Sequence, residues 1–201
     1  MVEMSVFGVG YTGNGKYKAV DEHGKITKPR SYWGNMLKRC YSEKHRAKNI
    51  TYEECYVNEQ WHNFQRFAEW FDNNYYEIPG EKMCLDKDIL IKGNKEYGPE
   101  TCCFVPERIN QIFIKRQNDR GDCPIGVRKR KNKKYEARCN VYENGKAKSI
   151  YLGLYDSVEE AFSIYKQFKE QYIKQVAEEY KNRIPEKLYN ALYAYVVEIN
   201  D

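Results

Sequence analysis

The sequence has no long hydrophobic run and no paired-cysteine motif. No apolar stretch approaches the ~20 residues that a membrane-spanning helix needs, and the first residues lack the basic and apolar segments of a signal peptide, so we expect none. The seven cysteines include no CxxC pair, which argues against a structural zinc site and favours reduced thiols. We therefore expect a cytoplasmic protein with no membrane partner.

Histidine is also scarce, because the chain has only three and none follows His62. Chemistry that needs a histidine would have to draw on the first third of the chain. The GNGK segment at residues 13–16 lacks the spacing of a phosphate-binding loop, and we interpret it as a turn. The hydrophobic content of 41% is enough for globular cores and argues against bulk disorder.

The segment from residue 123 to residue 176 predicts a three-stranded antiparallel sheet packed on a helix. GVRKRK, KYEARCNVY and SIYLGLY are the three expected strands, and Asn144-Gly145 is a strong hairpin signal between the last two. Asp156 or Ser157 is the expected cap of the helix. Its apolar positions recur at helical spacing and form one stripe, made of Ala161, Phe162, Tyr165, Phe168, Tyr172 and Val176. The stripe can cover one face of the sheet and leave the other face for solvent or a ligand.

This segment is unusually basic. Residues 115–148 contain twelve Lys or Arg and four Asp or Glu, a balance of +8, whereas the whole chain carries only +5. Such charge, interleaved with tyrosines, suits a phosphate backbone, and a two- or three-stranded ribbon fits the major groove of DNA. A solvated, lysine-rich hairpin would explain the charge equally well, so charge alone does not decide.

The motifs GVRKR, KYEAR and YLGLYDSVEEA resemble the APETALA/ethylene-response-factor DNA-binding domain, a pattern that also recurs in phage and mobile-element endonucleases. The resemblance covers roughly a quarter of the chain and implies that strand residues contact bases and phosphates in the major groove. By position these residues are Arg128, Arg130, Tyr135, Arg138, Asn140 and Tyr151. Arg138 stands where the family often has glutamate, and tyrosine replaces tryptophan at two sites, so a base preference does not transfer.

Further upstream, the pattern predicts a hairpin or meander over residues 4–27. It also predicts a helix over 31–41 with one apolar face, made of Trp33, Met36, Leu37 and Cys40. A second helix is expected from a cap at Asn58 to Asn73, with a stripe of Trp61, Phe64, Phe67, Ala68 and Phe71. A strand to Leu85, a loop through Gly93-Asn94, a strand over residues 101–105 and a helix from Pro106 follow. A last helix is expected from Glu186, with apolar residues as far as Ile199.

Strand, loop, strand and helix is the order of the ββα-metal fold. The runs SYWGNMLKRCY, VNEQWHNFQRFAEW, LDKDI and GNKEYGPETCCFVPERINQ resemble phage HNH homing-type endonucleases. Many of those enzymes carry the plant-like domain at their C-terminus, as expected here, and the two resemblances together cover about residues 30–180. The candidate catalytic residues that this resemblance implies are Asp86, Lys87, Asn94 and Asn110.

The resemblance implies that Asp86 and Asn110 hold Mg²⁺, since oxygen ligands suit this ion. The position of the catalytic histidine, however, is occupied by Lys87, and the loss of a positioned base typically costs ~10²–10⁴ in rate. One reading is a divergent nuclease whose base is His23, His45 or His62. The other is a scaffold that binds DNA with weak or absent cleavage. Asp86 and Asn110 could also be structural, because Asp and Asn commonly cap turns and helices.

These features together predict an α+β protein with a small N-terminal sheet and helices, a degenerate ββα-metal unit and a C-terminal three-stranded antiparallel sheet packed on a helix. The expected divisions are residues 1–117, 118–183 and 184–201. The expected function is double-stranded DNA binding in the cytoplasm of an infected bacterial host. The alternative is a phage module that binds and inhibits a host protein.

Overall fold

The computed structural model describes residues 5–114, 122–131, 133–143 and 145–201. Over these residues the fold is mixed α+β, as predicted, with six α-helices, two two-stranded sheets and a three-stranded antiparallel sheet. The chain divides into two compact units. The first contains the residues up to Pro79 together with Leu85–Phe104, and the second contains Gly80–Cys84 and Val105–Asp201. In the described part of the chain, no helix has the length and apolar character to cross a membrane.

The first unit is built on two packed helices with aromatic cores. Its elements are helix α1 (Lys28–Tyr41), helix α2 (Glu43–Arg46), strand β1 (Tyr56–Val57), helix α3 (Phe64–Asn74) and strand β3 (Glu96–Tyr97), and β1 pairs in parallel with β3. The predicted core faces are confirmed, since Trp33, Met36, Leu37 and Cys40 of α1 and Phe64, Phe67, Ala68 and Phe71 of α3 are all buried. The buried indole of Trp33 donates a hydrogen bond to the carbonyl of Trp61 at 2.6 Å, so this indole stays in the core without an orphaned donor.

The helix predicted from Asn58 to Asn73 is interrupted at Asn63. Asn58 caps only a short 3-10 turn, Glu59–His62, and Asn63 adopts extended backbone before it caps α3 through Gln65 N–H at 2.8 Å. Tyr11 explains the break, because its backbone bonds to His62 and Phe64 on either side of Asn63. A main-chain insertion from elsewhere in the sequence therefore outweighs the helical pattern.

The N-terminal hairpin or meander expected over residues 4–27 is not formed as strands. In residues 5–27 the structure has isolated bridges instead, including Val6 with Gly10 and Val20 with Ile26. Residues 14–16 of the GNGK segment form only a bend, the bridge of Val20 with Ile26 closes a separate turn, and Tyr11 pairs with Asn63 rather than with its neighbours in sequence.

The predicted order of strand, loop, strand and helix is observed. Strand β2 (Met83–Asp86) and strand β4 (Cys103–Pro106) form a two-stranded sheet, and helix α4 (Glu107–Ile112) follows directly. The division expected at residues 117–118 lies outside the described residues, so it stays a prediction.

The second unit contains the predicted three-stranded sheet. Strands β5 (Val127–Lys129), β6 (Tyr135–Glu143) and β7 (Lys146–Tyr155) pair antiparallel in the order β5-β6-β7. Asn144 of the expected hairpin turn lies outside the described residues, while Gly145 has a φ of +73°. Helix α5 (Val158–Tyr180) begins at the predicted cap, because the Ser157 hydroxyl accepts the Glu160 N–H at 3.1 Å.

Helix α5 covers one face of this sheet with the predicted stripe. The core joins Val127, Ala137 and Cys139 of the strands to Ala161, Phe162 and Tyr165 of the helix, and Phe168 is partly buried beside it. Helix α6 (Glu186–Tyr193) ends well before Ile199, which corrects the longer helix expected from the sequence. Val197 instead enters the same core, because Lys166 and Glu170 of α5 bind its backbone carbonyl and N–H.

Gly126 allows the closest approach between sheet and helix. Its φ is +79°, and a Cβ there would lie 2.1 Å from a ring carbon of Tyr165. We expect Gly126→Ala to lower the free energy of unfolding by more than about 3 kcal/mol, since backbone strain and a core clash add. Urea denaturation measures this loss.

Gly145→Ala is the matched control. Gly145 has a φ of +73°, but among the described residues no heavy atom lies within 4 Å of the position of a Cβ, so its substitution carries the backbone cost alone, about 1–2 kcal/mol. Equal losses in the two variants would contradict the importance of the contact between Gly126 and Tyr165.

Candidate functional site

The sheet face opposite α5, which we call the outer face, consists of Arg128, Glu136, Arg138, Asn140, Ser149, Tyr151 and Leu154. Successive residues of a strand point to opposite faces, and the register places Arg128 beside Glu136 and Arg138 beside Tyr151. A bulge between Ala137 and Arg138 shifts the pairing with β7. The core residues Ala137 and Cys139 alternate with the outer ones, so burial confirms the assignment of the faces.

A buried carboxylate organises the arginines of this face. Glu136 is only 4% exposed, and its two carboxylate oxygens accept hydrogen bonds from Arg130 and Arg138, one oxygen for each arginine. Burial raises the pKa of Glu136, but the bonds from the two arginines outweigh it, and the pKa lies below its ordinary value. Glu136 therefore stays ionised and holds two guanidinium groups at fixed positions.

Arg138 is further fixed by its other neighbours. Its guanidinium lies over the ring of Tyr151 at 5.9 Å and donates to the Ser149 hydroxyl at 3.4 Å. Tyr151 itself is 52% exposed. Arg128 is also exposed, and among the described residues its guanidinium has no hydrogen-bond or ion-pair partner. The outer face therefore offers one unpaired arginine, two arginines held by Glu136 and an exposed aromatic ring.

The structure brings together five of the six residues that the sequence proposed for DNA contact. Arg128, Arg138, Asn140 and Tyr151 lie on the outer face, and Arg130 reaches it through Glu136. Tyr135 is a correction, because it lies on the opposite face and packs against the core with α5. The sequence analysis did not identify Glu136 as a residue of this site. A carboxylate two residues before Arg138, on the same face, was the available signal.

The second candidate site is the loop that follows β2. The Asp86 carboxylate, 8% exposed, accepts the backbone N–H of Asp88 at 2.9 Å and of Ile89 at 2.8 Å through one oxygen. The Lys87 ammonium binds Asp88 at 3.0 Å and the Asn94 carbonyl at 2.9 Å. In return, the Asn94 amide donates to the carbonyls of Lys87 and Glu96 and accepts from Glu96 N–H. Lys87 and Asn94 thus close the loop on each other.

Lys87 is a poor general base in this setting. Burial lowers the pKa of its ammonium, but the charge and hydrogen bond of Asp88 outweigh it, and the pKa lies above its ordinary value. The ammonium therefore stays protonated at neutral pH. Asn110 lies half-buried on α4 of the second unit, where its carbonyl accepts the N–H of Phe113.

The residues of the loop do not fit Mg²⁺. The Asn94 side chain is engaged by the main chain, since its amino group donates to two carbonyls and its oxygen accepts one N–H, and one Asp86 oxygen already caps two backbone N–H groups. The Lys87 ammonium lies against Asp88, where a second cation would be repelled. Among the described residues, no group of three or more His, Cys, Asp or Glu is placed to hold a metal ion.

Two of the three histidines proposed as substitute bases have local polar partners: His62 lies 3.1 Å from the Val57 carbonyl through Nε2, and His23 is exposed beside Glu22. His45 packs beside the Tyr52 ring, and its buried Nε2 has no hydrogen-bond partner among the described residues. Each of these contacts is with a residue close in sequence, and none of them links a histidine to Asp86.

Asp86 should make stability depend on pH. Burial, and then the charge of Asp88, raise the pKa of Asp86 from 3.8 to about 6. A carboxyl with a raised folded-state pKa stabilises the fold while it is protonated, and this stability is lost as pH rises through the folded pKa. Because an asparagine amide mimics the protonated carboxyl, Asp86→Asn should gain roughly 3 kcal/mol relative to the wild type between about pH 4 and about pH 7.

Urea denaturation of both proteins at the two pH values measures this gain. Asp88→Asn is the control, since it makes the same chemical change two residues away but removes the partner of the Lys87 ammonium. We expect that variant to be less stable than the wild type at neutral pH. A difference between Asp86→Asn and the wild type that does not change with pH would contradict the assignment.

Comparison of the chain with protein-family models, with curated proteins and with solved structures found no match. The two resemblances seen in the sequence therefore stay predictions. Because a fold by itself does not specify an activity, function has to be argued from the chemistry of the outer face and of the loop after β2.

Proposed function

We propose that this protein binds double-stranded DNA through the outer face of its three-stranded sheet. The observation that carries the proposal is the buried Glu136 carboxylate, which holds Arg130 and Arg138 side by side on the outer face. Guanidinium groups that are fixed before binding lose little conformational freedom when they meet a phosphate or a base edge. A merely solvated basic hairpin would have no need for a buried carboxylate between its arginines.

The shape and chemistry of the outer face fit a duplex. A ribbon of three strands is narrow enough for the major groove, where arginine is the residue that most often recognises guanine. Arg128 is exposed with its guanidinium unpaired among the described residues, so it is the best candidate to contact a base edge. Tyr151 and Leu154, which are 52% and 42% exposed, supply apolar surface next to the charges. Apolar side chains of this kind can contact the methyl group of thymine.

The loop after β2 contributes structure rather than catalysis in this proposal. Its lysine is held protonated, its asparagine closes the loop, and its aspartate caps the turn. These engagements leave the loop without a general base, and they support binding without a hydrolytic step at Asp86 and Lys87.

Arg128→Ala should weaken duplex binding by about 1–3 kcal/mol if Arg128 contacts a guanine. Lys129→Ala is the matched control, because Lys129 is the next residue of the same exposed strand and points to the opposite face. It removes the same charge but should change affinity by less than about 0.5 kcal/mol. Fluorescence anisotropy with a labelled duplex at fixed salt measures both.

The wild-type affinity should also fall steeply with salt concentration, because each phosphate contact releases counterions. Equal effects of Arg128→Ala and Lys129→Ala would show that only total charge matters, and would refute the outer face as the specific contact surface. Binding that does not depend on salt would refute the phosphate contacts altogether.

A further inference from the structure

A cleft opens at the edge of the sheet where β5 ends. Strand β6 continues beyond Ala137, the last residue paired with the start of β5, so the edge of β6 from Asn140 onward has no neighbouring strand among the described residues. The cleft has a volume of about 170 Å³ and is bordered by the end of α4, the start of β5 and helix α5. Arg128, Arg138, Asn140 and Ser149 of the outer face line its mouth.

Three cationic side chains line the cleft, and one of them, Arg138, is paired with Glu136. Arg128, Arg138 and Lys169 contribute to its wall, and no Asp or Glu is among the described residues that line it. Glu136 binds Arg138 from outside the cleft. The remaining lining residues are neutral, so the enclosed space has a positive potential that favours an anion.

Lys169 is the unusual member of this group. It belongs to α5 and is 8% exposed, in a helix position surrounded by core residues. Its ammonium donates to the Ile112 carbonyl at 2.7 Å, and among the described residues no carboxylate pairs with it. A buried charge is normally paired, because desolvation of an isolated ammonium is costly. A bound anion in the cleft would provide the missing partner.

The backbone of β6 directs one N–H donor, that of Asn140, toward the cleft. Arg138 N–H bonds to the Gly126 carbonyl, and Tyr142 N–H bonds to the Tyr172 hydroxyl at 2.7 Å, both on the β5 side of β6. Alternation along an antiparallel strand directs Asn140 N–H to that side as well, into the gap. The pairing with β5 ends at Ala137, so among the described residues β5 supplies no ladder partner for this N–H.

We propose that this cleft binds one phosphate group, held by Lys169, the Asn140 backbone N–H and the two arginines at its mouth. A phosphate carries the charge and the several acceptor oxygens that these donors require. The inference rests on the proposed function in one respect: the phosphate is assigned to the backbone of a duplex on the outer face, onto which the cleft opens. Free phosphate has the same chemistry, and the experiment separates the two sources.

Lys169→Met is the decisive variant, and the full chain is used throughout. Methionine has a similar length and removes a buried charge, so the fold should be kept or strengthened. Lys174→Met removes an exposed lysine from the same helix and is the matched control. The first measurement is the slope of log affinity for duplex DNA against log salt. Lys169→Met should reduce this slope by about 0.9, the value for one phosphate, while Lys174→Met should leave it unchanged.

The ratio of the wild-type affinity to the Lys169→Met affinity should also depend on salt. The advantage of the wild type over Lys169→Met should shrink about threefold when salt rises from about 50 mM to about 200 mM. If both proteins are folded and have the same affinity and slope, the cleft does not hold a backbone phosphate, while DNA binding by the outer face stands.

The second measurement is a titration with inorganic phosphate, read from the amide NMR signal of Asn140. If the wild type fails to bind duplex, the proposed function is wrong. A wild-type Asn140 signal that shifts with phosphate and is silent in Lys169→Met would then identify a site for free phosphate. If the wild type fails to bind duplex and its Asn140 signal does not respond to phosphate, the proposal that this cleft binds phosphate is wrong.

Discussion

Helix α5 packs its apolar stripe on one face of the three-stranded sheet and leaves only the other face to solvent. Three short strands cannot bury two faces, so the side chains on the outer face are free to serve a ligand. The contact is close enough that Gly126 must lack a side chain beneath the Tyr165 ring. Polar residues on the outer face then have to satisfy one another, and Glu136 does so by accepting from two arginines.

In the loop after β2, charged side chains stabilise a turn. Lys87 and Asn94 bind each other's backbone, and Asp88 neutralises the lysine. A cationic side chain at this position closes the loop, because the Lys87 ammonium donates to both the Asp88 carboxylate and the Asn94 carbonyl. The same chemistry explains why Lys87 stays charged although it is 7% exposed. This arrangement supports the proposal of DNA binding without a hydrolytic step at Asp86 and Lys87.

Local patterns predicted the elements well, because helical stripes and alternating strands report directly on burial. The stripe of α5, the core faces of α1 and α3 and the strands β5 to β7 follow the sequence closely. Contacts between residues that are far apart in the chain could not be predicted from these local patterns. Asn63 interrupts a periodic helix because Tyr11 pairs there, and Tyr135 turns inward because the strand register fixes its face. The buried positions of Glu136 and Lys169 were equally invisible, since neither residue type predicts burial and both depend on the packing of other elements.

The most direct test of the account is an amide chemical-shift map of the full chain during titration with duplex DNA. The account predicts that the largest shifts occur in β5, β6 and β7, at Arg128, Arg138 and Tyr151, with smaller effects on the side of the sheet covered by α5. Shifts confined to the first unit, or no shifts at concentrations where binding is measured, would contradict the central claim that the outer face contacts DNA.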